Sequence, residues 1–224
     1  MSSVSDIIRQ NYEALQAKTA AACERVGRDP ESVTLIAVVK YAEWEWVQTL
    51  VALGVADLGE SRPQQLVERR PQLDDDIRWH LIGRLQRNKI RKVLPATSLI
   101  HSIDSLKLLR AVDRVAEELN LTPRVLLQVN ISGEATKAGF SPDGWRSSWQ
   151  EVKACRHVEV AGLMTMAPES SDPNDARSTF SGLAKLREEL GLTELSMGMS
   201  GDFEVAIEEE ATMVRIGSGL FSGL

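Results

Sequence analysis

A regular alternation of short apolar segments with longer amphipathic segments is the feature that most constrains the fold of this chain. Eight segments have the β-branched, apolar character of buried strands, and a helical segment separates each one from the next. Strict alternation of strand and helix is typical of parallel strands joined by right-handed crossovers. Eight repeats in 224 residues favour a closed (β/α)8 barrel of the TIM type over a doubly wound open sheet.

The predicted elements run without interruption along the chain. A first amphipathic helix begins near Ser3 and Asp6, which resemble a capping box, and ends at Gly27 and Pro30. No linker or shift in composition follows, so residues 1–224 are predicted to form a single domain. The strands are expected at 33–39, 55–58, 78–82, 99–102, 124–131, 158–164, 194–197 and 212–216, and the helices between them at 43–53, 62–70, 86–94, 104–120, 143–155, 174–190 and 202–209.

The composition narrows the class of protein. The chain has 32 acidic and 26 basic residues and a net charge of −6, so a general nucleic-acid-binding surface is not expected. It contains neither an apolar run of about 20 residues nor a leader-like amino terminus, which predicts no membrane span and no secretion. Its two cysteines, Cys23 and Cys155, are too few for a disulfide scaffold and indicate a cytoplasmic protein.

A lysine ends the first predicted strand. Functional side chains of (β/α)8 barrels gather at the carboxyl ends of the strands, so Lys40 is expected at the mouth of the barrel. Partial desolvation favours the neutral form of an amine, and a neutral amine forms Schiff bases with aldehydes. Lys40 is therefore a candidate for covalent capture of a carbonyl compound. A solvated lysine just beyond a strand is the alternative.

Two loops rich in glycine and serine follow the seventh and eighth strands, where barrels of this kind commonly bind phosphate. The first loop contains Ser200 and Gly201, and the second contains Gly217, Ser218 and Gly219. Backbone amides in such loops approach an anion closely. Ordinary turn chemistry explains either loop alone, but the two together predict a phosphate site.

An arginine and a histidine interrupt apolar strands. Arg215 is expected either to pair with a glutamate of the barrel or to donate to a bound ligand, because an unpaired buried charge is costly. His80 either approaches the same ligand or is a satisfied core histidine. Together with Lys40 and the phosphate loops, Arg215 matches the aldehyde, phosphate and acceptor atom of pyridoxal 5′-phosphate (PLP). A sugar phosphate bound as a Schiff base, as in class I aldolases, matches the first two.

These residues lie in motifs that resemble the pyridoxal-phosphate homeostasis family, also called YggS/PROSC proteins. The similarity extends over nearly the whole chain, and the matching segments occur in the family's order. They are Leu35-Ile-Ala-Val-Val-Lys40, Leu58-Gly-Glu-Ser-Arg62, Trp79-His-Leu-Ile-Gly83 with Leu85-Gln-Arg-Asn-Lys89, Ile100-His-Ser-Ile-Asp104, Leu127-Gln-Val-Asn-Ile-Ser132 with Lys137, Gly162-Leu-Met164, Ser196-Met-Gly-Met-Ser200 with Asp202, and Val214-Arg-Ile-Gly217.

The resemblance implies a single barrel like the amino-terminal domain of alanine racemases, with an extra amino-terminal helix. It implies that Lys40 carries PLP as a Schiff base, that Ser200, Gly217 and Ser218 hold the phosphate, and that Arg215 faces the pyridine nitrogen. The remaining candidates for the cofactor site follow or lie within other strands; they are Met199, Ser61 and His80.

The function implied by the resemblance is intracellular PLP homeostasis with little or no catalysis. Arginine only donates hydrogen bonds, so the ring nitrogen that it faces stays unprotonated and the ring is a poor electron sink. A racemase also needs a base on each face of its substrate, and no second domain is expected after the last strand to supply one. PLP-dependent apoenzymes as recipients and a monomeric state are the further implications.

The departures from the family's usual motifs include four single positions. Val39 replaces a serine or threonine, Tyr41 a threonine, Ser61 an asparagine and Glu210 a glycine. A positive φ at Glu210 would also strain the backbone. These departures keep two alternatives open: an altered or engineered barrel of this family with impaired PLP binding, and an enzyme that uses the same lysine as a weak racemase or a class I aldolase.

Overall fold

Eight parallel strands close into a barrel in the computed structural model, which describes residues 3–134 and 138–224. Each strand pairs with its neighbours in sequence, and the last pairs with the first. This confirms the predicted (β/α)8 barrel. The strands are β1 (Thr34–Val38), β2 (Asp57–Glu60), β3 (Arg78–Leu81), β4 (Leu99–Ile103), β5 (Arg124–Gln128), β6 (Glu159–Met164), β7 (Glu194–Ser196) and β8 (Met213–Ile216).

The α-helices surround the barrel and alternate with its strands. Lys137, which one of the family-like motifs contains, lies outside the described residues. The helices are α1 (Val4–Arg25), α2 (Trp44–Ala52), α3 (Pro63–Arg69), α4 (Ile90–Val93), α5 (Leu106–Leu119), α6 (Pro142–Lys153), α7 (Arg177–Leu190) and α8 (Phe203–Glu208).

Helix α1 begins at the predicted capping box and completes the outer ring. The Ser3 hydroxyl accepts a hydrogen bond from the Asp6 amide at 3.1 Å, and the Asp6 carboxylate accepts one from the Ser3 amide at 3.0 Å. The helix packs against α2 and α8, burying Ile8 and Ala22. Because α8 precedes β8, the helix α1 fills the place next to β1 that a helix after β8 occupies in a regular barrel.

Strand β2 lies two residues later than predicted, at 57–60 rather than 55–58. Gly59 belongs to the strand because it pairs with Val38 on one side and His80 on the other. Glu60 also belongs to it, although it is charged, because its buried carboxylate accepts backbone hydrogen bonds from the turn that follows. Apolar character alone therefore misplaces this strand.

The interior of the barrel has an apolar part and a polar part. Ile36 and Arg215 are register partners on β1 and β8, so their side chains lie on the same face of the sheet. The apolar cluster on that face consists of Ile36, Leu99, Leu126, Ala161, Met164 and Met213. The buried polar side chains of β2, β3, β4, β7 and β8 include Asp57, His80, His101, Ser196 and Arg215.

The described part of the chain contains no helix that is both long enough and apolar enough to cross a bilayer.

Glu210 has a φ of +72°, so the condition under which the sequence analysis expects backbone strain at this residue is met. It follows the end of α8, where a residue with left-handed geometry favours glycine. We expect Glu210→Gly to raise the free energy of unfolding by about 1 kcal/mol, because relief of the left-handed strain outweighs the loss of an exposed ion pair with Arg187. Urea denaturation measures the change. Glu210→Ala is the control, since it loses the ion pair and keeps the strain; equal stability of the two variants would contradict the prediction.

Candidate functional site

Lys40 lies directly beyond β1 at the carboxyl end of the barrel and is half-buried. Ala37 of β1 is the register partner of Ile216 in β8, so the residues after these two strands are neighbours. A Cβ built on Gly217 would lie 3.4 Å from the Cβ of Val38. The structure therefore brings the Lys40 turn and the second glycine-containing loop to the same side of the rim, as the sequence predicts.

The Lys40 ammonium lies against the aromatic ring of the next residue. Its Nζ is 5.1 Å from the ring centroid of Tyr41, and the guanidinium carbon of Arg62 is 4.9 Å from the same centroid. The Tyr41 side chain is exposed. Among residues 3–134 and 138–224, Lys40 forms no ion pair with a carboxylate, so its amine is available for chemistry at the mouth.

Arg69 fixes the backbone on both sides of Lys40, a role that the sequence does not predict. Its guanidinium donates to the carbonyl of Val39 and to the carbonyl of Ala42, each at 2.9 Å. It also lies 3.4 Å from the carboxylate of Glu60. These contacts tie α3 to the turn that carries the lysine.

The Glu60 carboxylate holds the neighbouring turn after β2. It accepts from the backbone amides of Ser61 at 2.7 Å and Arg62 at 2.9 Å. Burial raises the pKa of the Glu60 carboxyl, although these amides and the Arg69 and Arg62 guanidinium groups oppose the rise. Ser61 and Arg62 also line a polar cleft of about 580 Å³ beside the mouth. The predicted site residue Ser61 therefore lies in the turn after β2, and this turn neighbours the Lys40 turn after β1 at the same rim.

The two predicted phosphate loops meet. The Gly219 amide donates to the Ser200 hydroxyl at 3.2 Å, which joins the loop after β8 to the loop after β7. In the β7 loop, the Asp202 carboxylate accepts from the Met199 amide at 2.6 Å. Burial raises the pKa of Asp202, whereas this amide and the Arg215 guanidinium lower it. Met199 and Ser218 are exposed, and Ser200 is half-buried.

Arg215 is buried in β8, and its hydrogen-bond partners among the described residues are neutral groups. Its Nη1 donates to the Ser196 hydroxyl at 2.6 Å and its Nη2 to the Thr165 carbonyl at 2.9 Å. Within the described residues no carboxylate lies at ion-pair distance, so the expected alternative of a pair with a barrel glutamate is wrong. Burial lowers the pKa of Arg215 to about 10 while Asp202 raises it, and the guanidinium stays charged at neutral pH.

His80 is a satisfied core histidine. Its Nε2 lies 2.9 Å from the Asp57 carboxylate, and its Nδ1 lies 2.9 Å from Nε2 of His101. Both ring nitrogens have protein partners, which favours the satisfied core histidine of the two alternatives, and the approach of His80 to the cofactor stays a prediction. Sequence reasoning also missed His101 as one of its partners.

The Asp57 carboxylate is a source of pH-dependent stability. Burial raises its pKa, but hydrogen bonds from His80 and Arg78 outweigh burial and bring it to about 2. Because this pKa lies below the ordinary value of 3.8, the ionised group stabilises the fold above pH 4, and the benefit falls away as the pH drops toward 2. We expect Asp57→Asn to cost about 2 kcal/mol at pH 7 and about half of that near pH 3.

Urea denaturation of the wild type and Asp57→Asn at several pH values measures this difference. Asp75→Asn is the matched control, since Asp75 forms an exposed pair with Arg70 and contributes little. A gap between wild type and Asp57→Asn that stays constant from pH 7 to pH 3 would contradict the assignment.

No three histidine, cysteine, aspartate or glutamate side chains cluster closely enough to hold a metal ion in the regions that the structure describes.

Comparison with known proteins defines the class to which this barrel belongs. The family model for the alanine racemase N-terminal domain matches residues 8–224. The alanine racemase of Clostridium difficile superposes with a TM-score of 0.77 over 96% of this chain and 56% of its own, at 15% identity. That likeness concerns the fold alone. The chain is thus an alanine racemase N-terminal-type barrel.

Closer relatives identify the family within this class. The pyridoxal phosphate homeostasis protein of Aquifex aeolicus is 40% identical over 207 residues, which cover 89% of this chain and 91% of the relative. The structure of PipY from Synechococcus elongatus with PLP bound is 34% identical, with a TM-score of 0.79 over 91% of this chain and all of PipY. This chain belongs to the pyridoxal phosphate homeostasis protein family.

Proposed function

We propose that this protein binds PLP through Lys40 and serves intracellular PLP homeostasis with little or no catalysis. The observation that carries the proposal is the meeting of three features at one rim. Lys40, whose amine has no carboxylate partner among the described residues, follows β1, and Gly217 follows the neighbouring strand β8. The β7 and β8 loops join through Ser200 and Gly219, and the buried guanidinium of Arg215 lies in β8. Membership of a family whose relatives are named for PLP supports it.

The residues are suited to three functional groups of PLP, which are its aldehyde, its phosphate and its ring nitrogen. The Lys40 amine suits the aldehyde, and the amides and hydroxyls of Ser200, Gly217 and Ser218 suit the phosphate, with Met199 beside them. Arg215 suits the ring nitrogen, because this nitrogen accepts a hydrogen bond and arginine only donates. The described polar contacts of this buried cation are with neutral groups, and such a cation is costly until an electron-rich ligand approaches it.

The side chains of this site favour binding of PLP over catalysis with it. When bound, PLP supplies an aldehyde that condenses with an amine and releases water, and a ring that accepts electrons when its nitrogen is protonated. Arg215 keeps its own proton at neutral pH and offers no acid that would protonate that nitrogen. Arg69 and Glu60 hold the backbone around Lys40, so the amine is presented from a fixed turn.

Absorbance of the purified protein during titration with PLP tests the proposal. We expect a band of the Lys40 Schiff base to appear and saturate at one PLP per chain. Borohydride then delivers hydride to the C=N bond and converts it to a stable secondary amine. A protein that shows neither band nor adduct would be the altered barrel with impaired binding.

The two enzyme alternatives predict results that differ from these. A class I aldolase would be fixed by borohydride together with a sugar phosphate and without PLP. A weak racemase would interconvert alanine enantiomers steadily after loading with PLP. We expect neither result, because the site is built for the three ends of PLP and because Arg215 leaves the ring a poor electron sink.

We further infer that the protein acts as a monomer in the cytoplasm and delivers PLP to PLP-dependent apoenzymes. The free thiols of Cys23 and Cys155 suit a reducing compartment. Mixing the loaded protein with an apoenzyme and following recovery of that enzyme's activity tests delivery. Recovery no faster than with an equal concentration of free PLP would argue against it.

A further inference from the structure

A row of buried polar side chains crosses the barrel from its amino-terminal rim to Arg215. Asp57, the first residue of β2, lies 2.9 Å from Nε2 of His80, and Nδ1 of His80 lies 2.9 Å from Nε2 of His101. Nδ1 of His101 lies 2.8 Å from the Ser196 hydroxyl, and Nη1 of Arg215 lies 2.6 Å from the same hydroxyl. The described contacts thus connect five strands through the interior.

The chemistry of the two ends fixes the direction of every hydrogen bond in this row. Asp57 is a carboxylate at neutral pH and only accepts, so Nε2 of His80 donates to it. Arg215 only donates, so the Ser196 oxygen accepts from it. The proton of the Ser196 hydroxyl then has one described acceptor, which is Nδ1 of His101.

The hydrogen bonds at the two ends of the row determine which ring nitrogens of the two histidines carry protons. With its Nδ1 accepting, His101 carries its proton on Nε2 and donates to Nδ1 of His80. Both histidines are therefore neutral and protonated on Nε2, and every group in the row has a partner. Burial, with help from the Arg215 guanidinium, holds the pKa of His101 well below its ordinary value, which agrees with a neutral ring.

An arrangement with a doubly protonated His80 leaves the Ser196 hydroxyl without an acceptor. If His80 carried a proton on both nitrogens, it would donate to His101, and Nδ1 of His101 would carry a proton toward the Ser196 oxygen. Arg215 donates to that oxygen as well. The Ser196 hydroxyl proton would then have no acceptor among the described contacts, although the side chain is fully buried. An unsatisfied buried hydroxyl is costly.

We propose that Asp57, His80, His101 and Ser196 are positioning residues that form a one-way hydrogen-bond chain and hold Arg215 in place for the cofactor. This hydrogen-bond chain begins at the Arg215 guanidinium and ends on the Asp57 carboxylate. At the amino-terminal rim, Asp57 also forms an ion pair with Arg78. Hydrogen bonds that point the same way polarise and strengthen one another in a low-dielectric interior. The part of this proposal that concerns PLP rests on the proposed function.

The direction of the chain is testable without any cofactor. In the full-length protein labelled with 15N histidine, we expect His80 and His101 at pH 7.5 to show a protonated Nε2 and an unprotonated Nδ1. His157, the third histidine, is partly exposed, and His157→Gln identifies its resonances while leaving the other two patterns unchanged. A doubly protonated His80, or His101 protonated on Nδ1, would overturn the proposal.

A single-atom deletion tests the link to the cofactor. Ser196→Ala removes the hydroxyl between His101 and Arg215 with little change in volume, and we expect it to shift the His101 Nδ1 resonance and to weaken PLP binding about tenfold. Unchanged PLP affinity in this variant would overturn the positioning role. Failure of the wild type to capture PLP would instead overturn the proposed function, and the histidine resonances of the unloaded protein would still decide the direction of the chain.

Discussion

Lys40→Ala is expected to lose all covalent capture of PLP. The described residues give the Lys40 ammonium no carboxylate partner, and Arg69 holds the backbone on both sides of it. We expect the variant to show no Schiff-base band and no borohydride-fixed adduct. Residual binding through the phosphate loops should be weaker than wild type by roughly a hundredfold, or about 2.7 kcal/mol.

Two controls separate this loss from general damage. Lys107→Ala removes an exposed lysine of α5 that is not among the assigned site residues, and this variant should bind as the wild type does. Lys40→Arg keeps a positive charge but has no amine that condenses with an aldehyde, and it should behave like Lys40→Ala. Persistence of a saturable adduct in Lys40→Ala would refute the assignment of the lysine.

Arg215→Met should weaken PLP binding while leaving the protein folded. Methionine fills most of the volume of the arginine and cannot donate to the ring nitrogen. A hydrogen bond to a charged group contributes about 1.5–3 kcal/mol, so the dissociation constant should rise by a factor of about 10 to 100. The Schiff-base band should also move, because the ring nitrogen loses its donor.

The stability of Arg215→Met distinguishes a binding role from a structural one. Replacing a buried charge with an apolar side chain is often neutral for folding. Here the change leaves the Thr165 carbonyl without its donor, so we expect a change in the free energy of unfolding of about 1 kcal/mol. Wild-type PLP affinity, or unfolding of the variant, would contradict the role assigned to Arg215.

The sequence predicts which strand ends carry the site, because the positions of the strands depend on local sequence pattern. β-Branched runs mark the strands, and the position of Lys40 and the two glycine-containing loops after their strands follows from that pattern. The bounds of β2 do not follow from it. The Glu60 carboxylate is buried because backbone amides and Arg69 satisfy it, and this depends on how α3 folds back over the turn.

The interior row could not be predicted, because its partners come from different strands and one contact joins strands far apart in sequence. His101 on β4 and Ser196 on β7 are separated by 95 residues and meet across the barrel. Whether two inward side chains meet depends on the tilt and stagger of the strands, which the residues of one strand do not determine. The sequence does show a polar residue within several otherwise apolar strands. The same pattern is also typical of core residues that have no contact with one another.

A crystal structure of the protein grown with PLP tests the central claim most directly. The account predicts continuous electron density from Lys40 Nζ to the aldehyde carbon, a phosphate between Ser200 and the 217–219 loop, and the ring nitrogen within hydrogen-bond distance of Arg215. PLP attached to another lysine, or a phosphate bound away from both loops, would contradict it.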